Sequence, residues 1–279
     1  MPIHDQSYRR YGGGRASLGA AWTVIAWAGI RQMIRKRLFL GLLLLAWGQF
    51  IVRAVQFYFA TNVPEMTMLA PTVETFRQFL EFQDFFVFVV SVYVGAGLIA
   101  NDRRANALQI YLSKPLMRAE YIAGKAAILF TFLMLVTFVP AILLLFIHVM
   151  FAGSFTFLKN NLFLFPAITV ASLVQVLVAT FTMLALSSLS KSSRYVAIMY
   201  AGIIFFTAAI YGAVLAITAS TKMSYLSLTA NLTQVMDVIF RVTPRYDTPW
   251  QVSLIVILGL VVLSISVLER RVRGVEVVT

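Results

Sequence analysis

Six long apolar stretches, separated by polar segments, constrain this 279-residue chain more than any other feature. About 18 to 20 consecutive apolar residues are enough for a helix to cross the hydrocarbon core of a bilayer. We place the stretches at residues 38–60, 85–100, 126–151, 162–189, 196–220 and 251–268. The sequence therefore predicts an all-α integral membrane protein whose six transmembrane helices form one domain, residues 38–279.

The composition agrees with this fold class. The chain is 60% hydrophobic and 12% charged, whereas soluble domains are about 25% charged. Cysteine is absent, which excludes a disulfide framework, a thiolate nucleophile and a cysteine metal site. The first 20 residues contain no apolar core, so we expect no signal peptide.

The basic residues are distributed unevenly between the two sides of the predicted membrane domain. The formal net charge is +12, and 17 Lys and Arg residues fall in segments 1–37, 101–125, 190–195 and 269–279, against five in the segments on the other side. Lys and Arg concentrate in cytoplasmic loops. We therefore expect a multi-pass protein of the plasma or inner cell membrane with both termini in the cytoplasm. Topology and contact with anionic lipid explain the charge, and no nucleic acid partner is expected.

The N-terminal segment divides into two parts. Residues 1–21 are predicted to be a flexible cytoplasmic tail, and residues 22–37 an amphipathic helix at the membrane interface. The apolar face of that helix comprises Trp22, Ile25, Ala26, Gly29, Ile30 and Met33, and the polar face Arg31, Gln32, Arg35 and Lys36. The alternative is a plain basic flank that only orients the first span.

Two connections on the less basic side show helical periodicity. Val73, Phe76 and Leu80 predict a short helix lying on the outer membrane surface within residues 61–84. A second apolar face in residues 221–250 comprises Leu228, Leu232, Val235 and Ile239. Neither connection is long enough to form a domain of its own.

The predicted spans contain little that suggests catalysis. They hold one histidine, His148, and no Asp or Glu, so no metal site is expected. The same composition argues against an intramembrane metalloprotease, a carboxylate proton relay and a carboxylate ion site.

Polar residues nevertheless recur at helical spacing in three spans. These stripes are Gln49, Arg53 and Gln56 in the first span, Ser172, Gln175 and Thr182 in the fourth, and Tyr200, Thr207 and Tyr211 in the fifth. Such residues either pack helices together in a membrane or line a transport path, and the sequence leaves both readings open. Arg53 either reaches the headgroups or faces a cavity or a partner subunit.

The segment between the second and third stretches is polar and basic. It reads NDRRANALQIYLSKPLMRAEYIAGK, residues 101–125. Asp102 lies near the start of a predicted short helix, and Leu108 and Leu112, four residues apart, share one face of it. The pair Lys114-Pro115 ends that helix. An amphipathic helix held between two spans is suited to docking a cytoplasmic partner.

This loop resembles the first cytoplasmic loop of ABC-2 type transporter permeases. That loop has a Gly, an acidic residue, a Leu-rich stretch, Ser-x-Pro-hydrophobic-x-Arg, and Gly-Lys before the third span. The matching residues are Gly97, Asp102, Leu108, Leu112, Ser113, Pro115, Leu116, Arg118, Gly124 and Lys125. The family often has Gly-Thr-Leu-Glu where this chain has Asn-Ala-Leu-Gln, residues 106–109.

The resemblance implies a permease subunit of an ABC transporter, commonly an exporter, without ATPase activity of its own. Two permeases, identical or related, pair in the membrane, and each contacts a cytoplasmic ABC ATPase subunit that binds ATP and Mg. The loop then acts as a coupling helix. Its expected docking residues are Asp102, Arg103, Arg104, Leu108, Tyr111, Leu112, Ser113, Lys114, Pro115 and Arg118.

Two other functional classes compete with this interpretation. A membrane scaffold or assembly factor would use the basic loop only for topology and lipid contact, and it would not co-purify with a stoichiometric ATPase. An intramembrane enzyme is disfavoured by the missing carboxylates and paired histidines.

Overall fold

The computed structural model describes residues 20–107, 117–152 and 156–272, and these residues form helices and no strands. Six helical segments are long and apolar enough to cross a membrane. We number these spans in chain order. They are Arg37–Asn62, Val73–Arg104, Arg118–Ala152, Leu164–Leu189, Ser193–Thr218 and Trp250–Arg271. The prediction of an all-α protein with six spans is confirmed.

Shorter helices surround the spans. An entry helix, Ala21–Ile34, precedes the first span, and a connecting helix, Leu228–Ile239, lies between the fifth and sixth spans. The remaining short helices are Pro64–Leu69, Thr156–Asn160 and Thr221–Leu226. The tail predicted for residues 1–21 lies outside the described residues except for its last two positions.

Three spans contain interruptions. The first comprises helices Arg37–Ala46 and Gly48–Asn62, and the third comprises Arg118–Val136 and Phe138–Ala152. In the third span the cause is Pro140, which has no N–H to donate to the carbonyl four residues earlier. The second span comprises Val73–Val90, a π-helical turn at Ser91–Gly95, and Ala100–Arg104.

The spans alternate in direction, so the bundle has two ends. One end, here called the basic end, carries the entry helix, the ends of the second, fourth and sixth spans and the starts of the first, third and fifth. The opposite end is here called the far end. The fourth span is central, since it contacts the second, third, fifth and sixth spans.

The entry helix packs against the start of the third span through two glycines. A Cβ atom on Gly124 would come within 2.8 Å of the Ile25 Cβ and 3.0 Å of the Trp22 carbonyl oxygen. A Cβ atom on Gly29 would similarly collide with Ile128. The face predicted to be apolar therefore lies directly on the membrane domain, because neither glycine has a side chain to hold the helices apart.

The second span begins earlier than its apolar run indicated, at Val73. Thr72 starts the helix, since its backbone N–H donates to the Thr75 hydroxyl over 3.1 Å. Phe76 and Leu80 are buried in an apolar cluster with Phe57, Leu145 and Phe240, here called the far-end core. The prediction of a separate helix on the outer surface is therefore wrong. The span therefore contains Glu81 and Asp84, and the expectation of spans without Asp or Glu is also wrong.

An ion-pair cluster of Arg77, Glu81, Asp237 and Arg245 explains how the second span accommodates Arg77 and Glu81. Arg77 Nη1 lies 3.0 Å from Asp237 Oδ1 and 3.2 Å from Glu81 Oε2. Both Glu81 oxygens accept hydrogen bonds from the Arg245 guanidinium, over 2.7 and 2.6 Å. We call these four residues the far-end cluster. It joins the second span to the connecting helix and to the loop that follows it.

Two groups of the far-end cluster lie outside the six spans and have shifted pKa values. Hydrogen bonding to the Glu81 carboxylate raises the pKa of the Arg245 guanidinium, so this group stays charged. Burial raises the pKa of the Asp237 carboxyl, although the positive charge of Arg77 opposes the shift.

The helix predicted from the spacing of Leu228, Leu232, Val235 and Ile239 is confirmed as the connecting helix, and it lies inside the bundle. Nine of its residues, from Leu228 to Asp237, are buried. Its Leu228 N–H donates to Thr207 in the fifth span over 3.4 Å, whereas Phe240, at its other end, joins the far-end core. The helix therefore begins near the middle of the spans and ends at the far end.

Candidate functional site

The polar loop between the second and third spans is the first candidate site. The structure describes both of its flanks, up to residue 107 and from residue 117. The predicted docking residues Leu108, Tyr111, Leu112, Ser113, Lys114 and Pro115 lie outside the described residues. Their role as a docking surface stays a prediction, and the flanks show how the loop is held.

Asp102 ties the first flank of the loop to the third span. Its carboxylate oxygen Oδ2 lies 2.6 Å from Lys125 Nζ and accepts a hydrogen bond from the Tyr121 hydroxyl over 2.7 Å. The ammonium group also lies over the Tyr121 ring, 5.5 Å from its centroid. Asp102 and Lys125 both belong to the sequence motif, but their pairing and the role of Tyr121 were not predicted.

Ser187 ties the same flank to the fourth span. Its hydroxyl oxygen accepts hydrogen bonds from the backbone N–H groups of Ile99 and Ala100, over 3.1 and 3.0 Å. The hydroxyl donates to the Ala96 carbonyl over 2.9 Å. These bonds satisfy backbone groups that the irregular turn after the π-helix leaves without helical partners. Ser187 looked like an ordinary small residue in the sequence.

The basic side chains of the loop differ in their surroundings. The Arg103 guanidinium donates to the Ser188 carbonyl oxygen at the end of the fourth span. Arg104 is exposed and donates to the Asn101 side chain over 2.9 Å. Arg118 is exposed in the first turn of the third span, which begins where Glu120 accepts a hydrogen bond from the Met117 N–H over 3.1 Å.

In the polar stripe of the first span, Arg53 contacts the second span. Arg53 donates to Gln56 over 2.8 Å and to Gln78 over 3.4 Å. Gln49, Arg53 and Gln56 are all half-buried. The guanidinium is thus hydrogen-bonded within the chain.

The stripe of the fourth span faces the interior of the bundle. Ser172, Gln175 and Thr182 are all buried. The Gln175 amide nitrogen donates to the Leu80 carbonyl over 3.3 Å and to the Asp84 carboxylate. Asp84 was not among the predicted site residues, because it lies next to the apolar run that we took as the second span.

The stripe of the fifth span is the face by which that helix contacts the rest of the chain. Tyr200 and Tyr211 are two of only three buried residues of the described span. Tyr200 stacks on Phe88 with ring centroids 5.7 Å apart. Thr207 accepts the hydrogen bond from the connecting helix. One residue of each of these two stripes, Gln175 of the fourth span and Tyr200 of the fifth, lines a cavity that Asp84 also lines.

Comparison with protein families decides the class. A model of the ABC-2 family transporter proteins matches residues 23–271, nearly the whole chain. The chain belongs to this family. Among curated proteins, none matches it significantly.

The chain is therefore an ABC-2 permease, the multi-pass membrane-spanning part of an ABC transporter, in agreement with the resemblance of its cytoplasmic loop. Membership of this family disfavours the scaffold and intramembrane-enzyme alternatives. Among the described residues, no group of three or more His, Asp or Glu side chains could hold a metal ion.

Proposed function

We propose that this ABC-2 permease belongs to an ATP-driven exporter of the cell membrane and that both of its termini face the cytoplasm. The basic end carries most of the Lys and Arg residues, which supports a cytoplasmic location by the positive-inside rule. The family resemblance supports export. The short far-end connections offer no evident docking domain for a captured substrate-binding protein.

We further propose that residues 102–114 couple the permease to a separate cytoplasmic ABC ATPase. The anchoring of the loop carries this proposal. Asp102 holds its first flank to the third span through Lys125, and Ser187 holds the same flank to the fourth span. A partner that pushes on the loop would therefore displace three spans together.

The ATPase would supply the cofactors and the energy. ATP and Mg are proposed to bind in the partner chain, which leaves no catalytic step to this permease. A second permease subunit, identical or related, would complete the membrane part. The exposed faces of the fifth span, which buries only Val196, Tyr200 and Tyr211, leave room for this subunit and for lipid.

The test is to remove the apolar anchors of the loop. Leu108→Ala combined with Leu112→Ala should release or uncouple the ATPase, because truncating a buried anchor at an interface can cost about 2 kcal/mol or more. Arg104→Ala, which removes an exposed side chain of the same loop, should weaken ATPase binding less, and this effect should depend on the salt concentration. The measurements are co-purification of the ATPase and substrate-stimulated ATP hydrolysis in reconstituted membranes.

If the double leucine variant keeps the ATPase and its stimulated hydrolysis at the unmutated level, the loop is not the coupling element. Insertion and folding of the variant, checked by size-exclusion chromatography, must match the parent protein for the comparison to hold.

A second experiment addresses the polar stripes as a transport path. Gln175→Leu and Tyr211→Phe should change transport while leaving ATPase assembly intact if the stripes line that path. Loss of folding or of subunit pairing, without a separable transport defect, would show that these residues only pack helices.

A further inference from the structure

A cavity of about 170 Å³ lies between the second, fourth and fifth spans and the connecting helix. Its polar lining comprises Asp84, Gln175, Tyr200 and Thr229. Gln175 lies near the middle of its 26-residue span. The cavity is thus at mid-depth in the bundle, where a charged or strongly polar side chain is costly and usually functional.

The carboxylate of Asp84 lacks a positive counterpart. Its hydrogen-bond donor is the Gln175 amide, and within residues 20–107, 117–152 and 156–272 it forms no ion pair. Asp84 is also partly exposed. The contrast with Asp237 is informative, since that buried carboxylate lies 3.0 Å from Arg77.

Gln175 adds a second unmet requirement at the same wall. The residue is 1% exposed, and its carbonyl oxygen Oε1 is buried without a hydrogen-bond partner in the described part of the chain. A buried acceptor left without a donor is unfavourable. Since Gln175 lines the cavity beside Asp84, a carboxylate without a counter-charge and an amide with an unpaired oxygen are neighbours in its wall.

Aromatic rings form much of the remaining wall. Phe88 packs edge-on against Phe205 with centroids 5.5 Å apart and stacks on Tyr200, and Phe85 also lines the cavity. Ring faces attract cations, and this attraction strengthens where water is excluded. An apolar body would fit among the same rings.

We propose that this cavity binds small lipophilic cations, with the ammonium group at Asp84 and the apolar body among Phe85, Phe88 and Phe205. A purely apolar occupant would leave the Asp84 carboxylate without a counter-charge, so it would bind less well. The idea that the bound cation is transported rests on the proposed function. Binding of the cation to the cavity does not depend on it.

The experiment uses the purified full chain in nanodiscs of phosphatidylcholine. Equilibrium binding of radiolabelled benzyltrimethylammonium is compared with that of neopentylbenzene, a neutral compound of the same shape, after subtracting partition into empty nanodiscs. We expect one saturable cation site per chain. The neutral compound should bind at least about tenfold more weakly, because it has no charge to attract the carboxylate.

Asp84→Asn should weaken cation binding at least about tenfold, since it removes the charge and keeps the shape of the side chain. The matched control is Glu65→Gln, which removes a carboxylate from an exposed turn at the far end and should leave binding unchanged. Equal binding of the two compounds, or unchanged affinity in Asp84→Asn, would overturn the proposal.

A second variant covers the case in which Asp84→Asn does not fold. Phe85→Leu, at a largely exposed position, should weaken cation binding several-fold and spare the neutral compound; equal effects on both would again overturn the proposal. If the unmutated protein binds no cation but co-purifies with the ATPase, the proposed cavity site is refuted and the proposed function is not. If the protein binds the cation but no ATPase co-purifies with it, the proposed function is refuted and the cavity site is not.

Discussion

Removing the positive charge of Arg77 should destabilise this protein strongly. Arg77 is 2% exposed and Asp237 is fully buried, and their side chains lie 3.0 Å apart. In Arg77→Leu the Asp237 carboxylate would still accept the hydrogen bond from the Arg245 backbone N–H over 3.2 Å. The nearest positive charge would be the Arg245 guanidinium, 4.0 Å away. Breaking a buried pair in this way costs about 3–5 kcal/mol.

This free energy converts into a shift of the unfolding temperature. On the unfolding entropy of globular proteins, about 2.1 cal/mol/K per residue or about 0.6 kcal/mol/K for a chain of this length, Tm should fall by about 5–9 °C. The assay is thermal unfolding of the purified protein in mild detergent, followed by tryptophan fluorescence.

Two companion variants test the reasoning. Arg245→Leu breaks the more exposed pair with Glu81, whose partners are 40% and 34% exposed, so it should cost about 1 kcal/mol or less. Arg77→Leu combined with Asp237→Asn should recover part of the loss, because no lone charge stays buried. A single Arg77→Leu variant no worse than Arg245→Leu, or a double variant no better than the single, would refute the argument.

Three further predictions concern the basic end and the topology. In intact cells an impermeant thiol reagent should label a cysteine introduced at Ala70 and not one at Asn106; the reverse pattern would invert the proposed topology. Gly124→Ala should lower Tm in the same unfolding assay, since its Cβ meets the entry helix and overpacking costs about 1–3 kcal/mol, whereas Gly202→Ala, in open space, should not. Ser187→Ala should expose the backbone amides of residues 99 and 100 to faster hydrogen exchange; unchanged exchange would mean that the hydroxyl is dispensable.

The sequence predicted the number and class of the spans well, because each crosses the membrane by an apolar run of its own. It misplaced the start of the second span because Arg77, Glu81 and Asp84 interrupt that run. Their partners, Asp237, Arg245 and Gln175, are far away in the chain. Pairings between distant residues leave no local pattern, so the charges suggested a surface loop.

The same limit applies to the candidate sites. The motif around Asp102 and Lys125 was visible in the sequence, whereas the contribution of Ser187 requires the fourth span to be placed beside the loop. The stripes containing Gln175 and Tyr200 were found from their helical spacing alone. Their convergence on a cavity with Asp84 could not be predicted, because it depends on how three spans and the connecting helix pack together.

The connecting helix also constrains how the protein is made. Its Asn231 and Gln234 side chains and its Asp237 carboxylate cannot enter lipid alone. Gln234 donates to the Thr248 carbonyl oxygen over 2.7 Å, and Thr248 is synthesised after the helix and immediately before the sixth span. Because the helix also packs against the sixth span, we expect it to settle into the bundle late in biogenesis, after that span has been synthesised.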